Sequence, residues 1–134
     1  MTLYVTSTQT AVRCPGCAVP AERLHSRYTR TLADLPWAHY RVRLQLRVRK
    51  WFCQNPACVR RIFTERLPTV VAPWARRTLR LAQRLGALGV ALGGKAGVRL
   101  GHVWGLWVSR NTLLRLLRRQ PEPGRPDTPG AGRR

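Results

Sequence analysis

The four cysteines of this chain fall in two short pairs, and their spacing constrains the fold more than any other feature. Cys14 and Cys17 enclose two residues in "CPGC", and Cys53 and Cys58 enclose four in "CQNPAC". Tetrahedral Zn²⁺ favours thiolates that tight turns deliver two at a time. The proline, glycine and asparagine residues inside the two pairs favour such turns. The spacing therefore predicts a zinc ribbon in which all four cysteines bind one Zn²⁺.

Other uses of these cysteines fit the sequence less well. A redox-active pair needs a thioredoxin-like setting and leaves the second pair without a role. Structural disulfides belong to oxidising compartments, whereas the N-terminal segment lacks the charged start and apolar stretch of a signal peptide. His25 lies between the pairs, but four thiolates already complete a tetrahedron. We therefore expect His25 on the sheet surface or at a phosphate.

The segment "RVRLQLRVRKWFC", residues 41–53, alternates apolar and cationic side chains and then reaches a cysteine. A period of two predicts a half-buried strand. Residues 23–37 are expected to pair with this strand through a turn near Pro36. The buried set is Val42, Leu44, Leu46 and Val48. The opposite set, which gives the strand one strongly cationic face, contains Arg41, Arg43, Arg47 and Arg49.

The charge of the chain is strongly unbalanced, with 25 Lys and Arg against 5 Asp and Glu, a formal net charge of +20. Such a field attracts a polyanion and releases its condensed counterions on binding. We therefore expect nucleic acid as the partner, and we expect the cationic face of the strand, with Arg41, Arg43, Arg47 and Arg49, to bind the DNA backbone. An anionic membrane is the weaker alternative, because no lipid anchor or free apolar face accompanies the charge. The longest apolar run, residues 85–92, is too short to span a bilayer.

After the prolines of segment 68–75, the apolar period changes from two to about 3.6. Leucines at 81, 85, 88 and 92 predict the buried stripe of a first helix, which Gly93 and Gly94 end. A short second helix is expected over residues 95–103, followed by a turn at Gly105. Residues 108–119 predict a third helix with Ser109 as its N-cap and Leu113, Leu116 and Leu117 on its buried side.

A short helix, a glycine-containing turn and a capped basic helix are the parts of a helix-turn-helix. In that motif, the first residues of the second helix reach base edges in the major groove. Arg110 and Asn111, with Arg115, are therefore predicted to contact bases, and Arg118 and Arg119 to hold phosphates. A plain amphipathic hairpin with a basic surface is the alternative. None of the tryptophans is assigned to a site.

The sequence thus predicts an α+β chain: a small antiparallel zinc ribbon followed by an all-α helix-turn-helix module and a disordered tail. The expected divisions are 1–67 for the ribbon, 68–75 for a connector, 76–119 for the helix-turn-helix and 120–134 for the tail. Asp34 and Glu65 lie among arginines, and salt bridges are the expected role of both carboxylates. We expect no catalytic residue in this chain.

Several motifs, in order, resemble those of a known family. The segments "CPGC…RLHSRYTRTLADLPW…VRLQLRVRKWFCQNPAC…RRIFTERLP" and "APWARRT…GGKAG…VSRNTLLRLLRR" resemble, over residues 14–119, the N-terminal half of bacterial insertion-sequence transposases of the ISL-three class. The resemblance implies a zinc ribbon and a helix-turn-helix that recognise the terminal inverted repeats of the element. In the family these parts precede a catalytic domain of the DDE type, whose carboxylates hold metal ions.

The chain departs from the family after about Gln120, so we expect a DNA-binding portion that lacks the catalytic domain. The expected partner is double-stranded DNA, with a second copy or a full-length transposase as a further partner, and the expected location is the nucleoid in the bacterial cytoplasm. Two other functions stay open: a stand-alone helix-turn-helix transcriptional regulator and a basic zinc-ribbon RNA-binding protein. The RNA function fits a helix-turn-helix poorly, because the A-form major groove does not admit a helix.

Overall fold

A computed structural model of the protein describes residues 1–120. The predicted tail lies outside the described residues, apart from Gln120. The architecture is α+β, as predicted, with a four-stranded sheet and two helices. The elements are β1 (Thr2–Thr6), β2 (Leu24–Trp37), β3 (Tyr40–Phe52), β4 (Ile62–Thr64), α1 (Leu79–Val103) and α2 (Arg110–Arg118).

β3 is the central strand of the sheet, whose order is β1-β3-β2 with β4 paired to the end of β3. β2 and β4 run antiparallel to β3, as expected for a ribbon. β1 runs parallel to β3, with Thr2 opposite Arg43 and Thr6 opposite Arg47. The prediction of a purely antiparallel sheet is therefore wrong at this edge. A parallel neighbour needs a long crossover, and here the first cysteine turn and β2 lie between β1 and β3.

The hairpin between β2 and β3 turns later than predicted. β2 continues through Pro36 to Trp37, and the chain reverses at Ala38 and His39. Ala38 has a φ of 52°, a left-handed conformation that suits a tight turn. The strand register shifts between Asp34 and Trp37. Pro36 lacks an N–H group for the ladder, so it marks this irregularity rather than the turn itself.

One face of the sheet carries the apolar core that the alternating pattern predicted. Val42, Leu44, Leu46 and Val48 of β3 are all buried. Leu32 of β2 is fully buried beside them, and Val71 packs against the same cluster from the segment that follows the sheet. The expected connector, residues 68–75, therefore covers part of the sheet.

Helix α1 has the break that its glycines predict. Gly93 has a φ of 68° and a ψ of −168°, which divides α1 into two segments. Leu81, Leu85 and Leu88 are buried as expected, but Leu92 is 43% exposed. Its assignment to the buried stripe is wrong, because Leu92 lies beside the break, where the first segment no longer continues. Over the part of the chain that the structure covers, no helix has the length and apolarity needed to cross a membrane.

Helix α2 packs closely against α1. Leu113 of α2 is fully buried, and a Cβ at Gly97 of α1 would lie 2.7 Å from its Cδ2 atom. Gly97 therefore permits the close approach of the two helices. Gly105, with a φ of 74°, forms the turn before α2. Ser109 is the N-cap, since its Oγ atom accepts a hydrogen bond of 3.2 Å from the backbone N–H of Thr112.

The sheet and the helices are joined through the end of β2. Ala33 donates a backbone hydrogen bond to Arg76 and accepts one from Thr78. The neighbouring carboxylate of Asp34 is buried and pairs with Arg80. The start of α1 is thereby attached to an edge strand of the ribbon.

Candidate metal centre and cationic surfaces

The first cysteine pair lies in a compact turn between β1 and β2. The backbone N–H of Cys14 donates to the carbonyl of Val19 (3.0 Å), and the N–H of Ala18 donates to the carbonyl of Cys14 (2.8 Å). Ala18 closes this turn with a φ of 61°. The N–H of Gly16 also points to the sulfur of Cys14, at 3.4 Å. These contacts bring both sulfurs of the pair to one side of the turn.

The second pair lies directly after β3. Cys53 donates its backbone N–H to the carbonyl of Arg61 (2.9 Å), so it is still held by the strand pairing that leads to β4. Cys58 donates to the carbonyl of Asn55 (3.1 Å). The side-chain oxygen of Asn55 accepts from the N–H of Ala57 (3.0 Å), which closes an Asx turn. Asn55 therefore forms the turn that the sequence predicted for this pair.

The four sulfur atoms converge on one point. All lie within 4.8 Å of one another, with 3.9 Å between Cys14 and Cys58 and 3.6 Å between Cys17 and Cys53. With Zn–S bonds of about 2.3 Å, the edge of a regular tetrahedron is about 3.8 Å. The cysteines are free thiols, not disulfides. The predicted ligand set therefore has the spacing that Zn²⁺ requires.

The pKa values of the thiols explain why this cluster needs a cation. A hydrogen bond from the backbone of Val19 lowers the pKa of Cys17 to about 7. The backbone of Asn55 also favours the Cys53 thiolate, but burial and the neighbouring Cys17 outweigh it and raise the pKa of Cys53 to about 12. Without a metal, the cluster therefore cannot carry four negative charges at neutral pH. A divalent cation removes this limit, because thiolates bound to Zn²⁺ are deprotonated.

The cluster also supplies much of the packing at this end of the sheet. Cys14 is buried with Val12 and Phe63, and the other three cysteines and Trp51 pack against them. His25 is exposed and does not belong to the cluster; its Nδ1 atom lies 2.8 Å from the Ser26 hydroxyl and its ring contacts Phe52. The small apolar group shows why a metal would stabilise this end of the ribbon.

The other face of β3 carries the predicted arginines, but their environments differ. Arg43 and Arg47 are exposed. Arg41 is also exposed, and its guanidinium lies 3.9 Å from the ring centroid of Trp107, in the loop that leads to α2. Arg49 is half-buried in an ion pair of 2.9 Å with Glu65 and also donates to the carbonyl of Gln9. Arg49 therefore supports the fold and Arg41 contacts the loop before α2, while Arg43 and Arg47 keep exposed guanidinium groups.

The polar residues predicted on the last helix face solvent. Arg110, Asn111, Arg115 and Arg118 of α2 are exposed, as is Arg119 at its C-cap. The side chain of Arg110 lies against α1 beside its break, because a Cβ at Gly94 would lie 3.1 Å from the Cγ atom of Arg110.

Positive charge also collects at the junction between the sheet and the helices. Burial, with the nearby charge of Arg115, lowers the pKa of the Arg77 guanidinium. Arg77 and Arg115 thus bring two like charges near each other at this junction, where Asp34 is already paired with Arg80.

The sequence predicted the cysteines and the exposed arginines. It did not predict the contacts that give these arginines different environments. The pairing of Arg49 with Glu65 was foreseen only as an undefined salt bridge, and the contact of Arg41 with Trp107 was not foreseen. The acid-free stretches on both sides of Glu65 were a usable signal. Glu65 is a lone acid among many arginines and follows the apolar pair Ile62 and Phe63 by two residues, so a buried position beside one of those arginines could have been expected.

Comparison with known proteins identifies the cysteine-bearing segment. Residues 10–58, which include all four cysteines, match the family described as the zinc-finger of transposase IS204/IS1001/IS1096/IS1165. The chain has no significant match among curated proteins or solved structures. The match and the convergence of the four sulfurs agree on the same residues. Residues 10–58 are therefore a zinc ribbon similar to those of these transposases.

Proposed function

We propose that this protein binds double-stranded DNA in a sequence-specific, zinc-dependent way and recognises the ends of a transposable element. The observation that carries the proposal is the match of residues 10–58 to a transposase zinc finger, together with the sulfur cluster inside that segment. The charge of +20 supplies the general affinity for a polyanion.

The sheet face is the proposed contact for the DNA backbone. Arg43 and Arg47 lie on the central strand and extend from the same face, because residues separated by an even number of positions on a strand share a face. Threonines flank them on both sides: Thr2 and Thr6 of β1, and Thr29 opposite Arg47 on β2. Guanidinium and hydroxyl groups are typical phosphate ligands. The zinc cluster holds the end of this strand, so its arginines are presented on a rigid support.

Helix α2 is the proposed reader of sequence, as the second helix of a helix-turn-helix. Its support is local: the second segment of α1, the turn at Gly105, the cap at Ser109 and the exposed side chains of Arg110 and Asn111. Arginine suits the acceptors of guanine, and asparagine suits adenine. The contact of Arg41 with Trp107 supports a shared surface, because it places the cationic strand beside the loop that enters α2.

In this proposal, residues 1–120 recognise DNA and do not cleave its strands. The buried carboxylates of Asp34 and Glu65 each pair with an arginine and are not free to hold a catalytic metal. A second copy or a full-length transposase is the proposed protein partner, and the nucleoid is the proposed location.

The test is selection of binding sites from a random duplex library by the full chain loaded with zinc. We expect one enriched motif, present in inverted orientation on both sides of the coding region in the genome. Enrichment of a promoter sequence instead would identify a transcriptional regulator. Preference for structured RNA over duplex DNA at the same salt concentration would identify an RNA-binding protein, and failure to enrich any motif would refute sequence-specific recognition.

A further inference from the structure

A cleft of about 700 Å³ lies on the side of the sheet opposite the arginine face. Its floor includes Tyr28 of β2 and Val48 of β3, and its far wall is the segment from β4 to residue 76. Its volume falls in the range of ligand-binding clefts. The arginines assigned above to duplex DNA do not line this cleft, since Arg43 and Arg47 lie on the other face.

The lining of the cleft is strongly cationic. Among residues 1–120, Glu65 is the only acid that lines the cleft, and its carboxylate is already neutralised by Arg49 and bonded to the hydroxyl of Ser7. The cleft therefore keeps a net positive charge, and it selects an anionic occupant. Its basic lining residues are Arg30, Lys50, Arg60, Arg66 and Arg76, with His25 beside them.

Two exposed aromatic side chains accompany this charge, whereas Phe63, which also lines the cleft, is buried. Trp74 lines the cleft while its residue surface is 89% exposed. Its backbone has a φ of 62°, which is costly for a bulky residue. Tyr28 is 37% exposed, and the ammonium of Lys50 lies 5.1 Å from its ring centroid. The indole therefore offers an open aromatic face on which a planar group can stack.

The loop that carries Trp74 is attached to the sheet. Arg30 donates a hydrogen bond of 2.6 Å from Nη2 to the carbonyl of Ala75, the next residue along the chain. Val71, three residues before Trp74, is buried in the sheet core. The backbone on both sides of Trp74 is therefore anchored to the sheet, so a ligand that stacks on the indole does not have to order this loop first.

We propose that this cleft binds an unpaired DNA strand, with a base stacked on Trp74 and phosphates held by Lys50 and the surrounding arginines. Charge together with an exposed aromatic face is the chemistry of single-strand recognition, because base faces are accessible only when they are not stacked in a duplex. The site is separate from the proposed duplex surfaces in both position and ligand. The cleft gives the protein a second contact with DNA, at a place where the two strands have locally separated.

The test measures fluorescence anisotropy of a labelled oligothymidine of about ten nucleotides with the zinc-loaded full chain. Trp74→Asn removes the indole but keeps a residue that tolerates a left-handed backbone. We expect it to weaken oligothymidine binding by about fivefold or more, since stacking of one base contributes about 1–3 kcal/mol. Lys50→Ala should reduce the slope of log affinity against log salt by about 0.7, the loss of one phosphate contact.

Trp37→Ala is the matched control, because Trp37 is 69% exposed but does not line the cleft. It should leave oligothymidine binding unchanged, and Trp74→Asn should leave duplex binding unchanged. Equal loss of oligothymidine affinity in Trp37→Ala and Trp74→Asn, or no loss in either, would overturn the proposal. Tighter binding of oligouridine than of oligothymidine would overturn DNA as the occupant in favour of RNA. Failure of the duplex proposal is a separate result, since it shows in duplex affinity and not in this comparison.

Discussion

Thr78 donates a hydrogen bond of 2.7 Å from its hydroxyl to Oδ1 of Asp34, and both residues are buried. The same hydroxyl oxygen accepts a bond of 3.3 Å from the backbone N–H of Leu81, as the N-cap of α1. Arg80 adds bonds to both oxygens of the carboxylate. One residue thus caps the first helix and attaches it to the edge of the zinc ribbon, so the sheet and the helices keep a defined orientation.

Loss of the cation at this junction should destabilise the protein. Arg80→Ala leaves the fully buried Asp34 carboxylate without its charged partner. We expect a fall of about 2 kcal/mol in the free energy of unfolding, measured with urea, because hydrogen bonds to charged groups contribute about 1.5–3 kcal/mol. Arg84→Ala, an exposed position one turn further along α1, is the control and should change stability little. Equal effects of the two substitutions would contradict this role for Arg80.

The carboxylate of Asp34 should also make the free energy of unfolding depend on pH. Burial by itself raises the pKa of Asp34, but hydrogen bonds from Arg80 and Thr78 outweigh it and hold the pKa below its ordinary value of 3.8. A lowered folded-state pKa contributes stability that is present above the unfolded-state pKa and is lost as the pH falls through the folded-state value. The stability difference between the wild type and Asp34→Asn should therefore be constant near neutrality and shrink below about pH 4. A difference that stays constant into strong acid would show that the pKa is not lowered.

The four-cysteine cluster should bind one zinc ion per chain, and the ribbon should depend on it. Cys17→Ser is expected to lose the metal and the strand signal in circular dichroism, because metal binding supplies folding free energy in small zinc modules. Zinc content by atomic absorption is the direct measurement. His25→Ala, which removes a metal-binding type of side chain outside the cluster, should keep the full zinc content. Loss of zinc in the histidine variant would mean that the ligand set is different.

Two arginines on the same face of β3 should behave differently when replaced. Arg47→Ala removes an exposed guanidinium, so we expect weaker binding to all duplexes and a salt slope reduced by about 0.9. Arg49→Ala removes the partner of the buried Glu65, so it should lower the free energy of unfolding by about 2 kcal/mol. Titration of duplex DNA at several salt concentrations and urea unfolding separate the two effects. The proposed sheet contact fails if Arg47→Ala leaves duplex affinity and its salt dependence unchanged.

The first residues of α2 should carry the sequence preference. Arg110→Ala is expected to lose about 1–3 kcal/mol of discrimination between the selected duplex and a scrambled one. Arg118→Ala, near the other end of the same helix, should weaken both duplexes by the same factor, as a phosphate contact does. Competition binding with the two duplexes measures both the discrimination between them and the affinity for each. Unchanged discrimination in Arg110→Ala would exclude this residue as a base contact.

Several features of this protein followed from the sequence because they depend on near neighbours in the chain. The spacing of Cys14 and Cys17 sets a turn, and the alternation in residues 41–49 sets which face of a strand is buried. Ser109 caps α2 by accepting a hydrogen bond from a backbone N–H three residues later. Gly93 interrupts α1 through its own backbone angles. Each of these features is a local preference of the chain, so the sequence pattern alone was sufficient to predict it.

Other features were decided only by the tertiary structure. Arg47 and Arg49 are equivalent in the alternating pattern, yet only Arg49 has Glu65 beside it, 16 residues further along the chain. The parallel pairing of β1 and the bond from Thr78 to Asp34, across 44 residues, likewise have no local signal. Contacts between distant residues depend on how the whole chain closes, and the period of the side chains does not contain that information. The sequence alone therefore identified the zinc ligands and a cationic strand, while the folded chain determined which cations are free to bind a ligand.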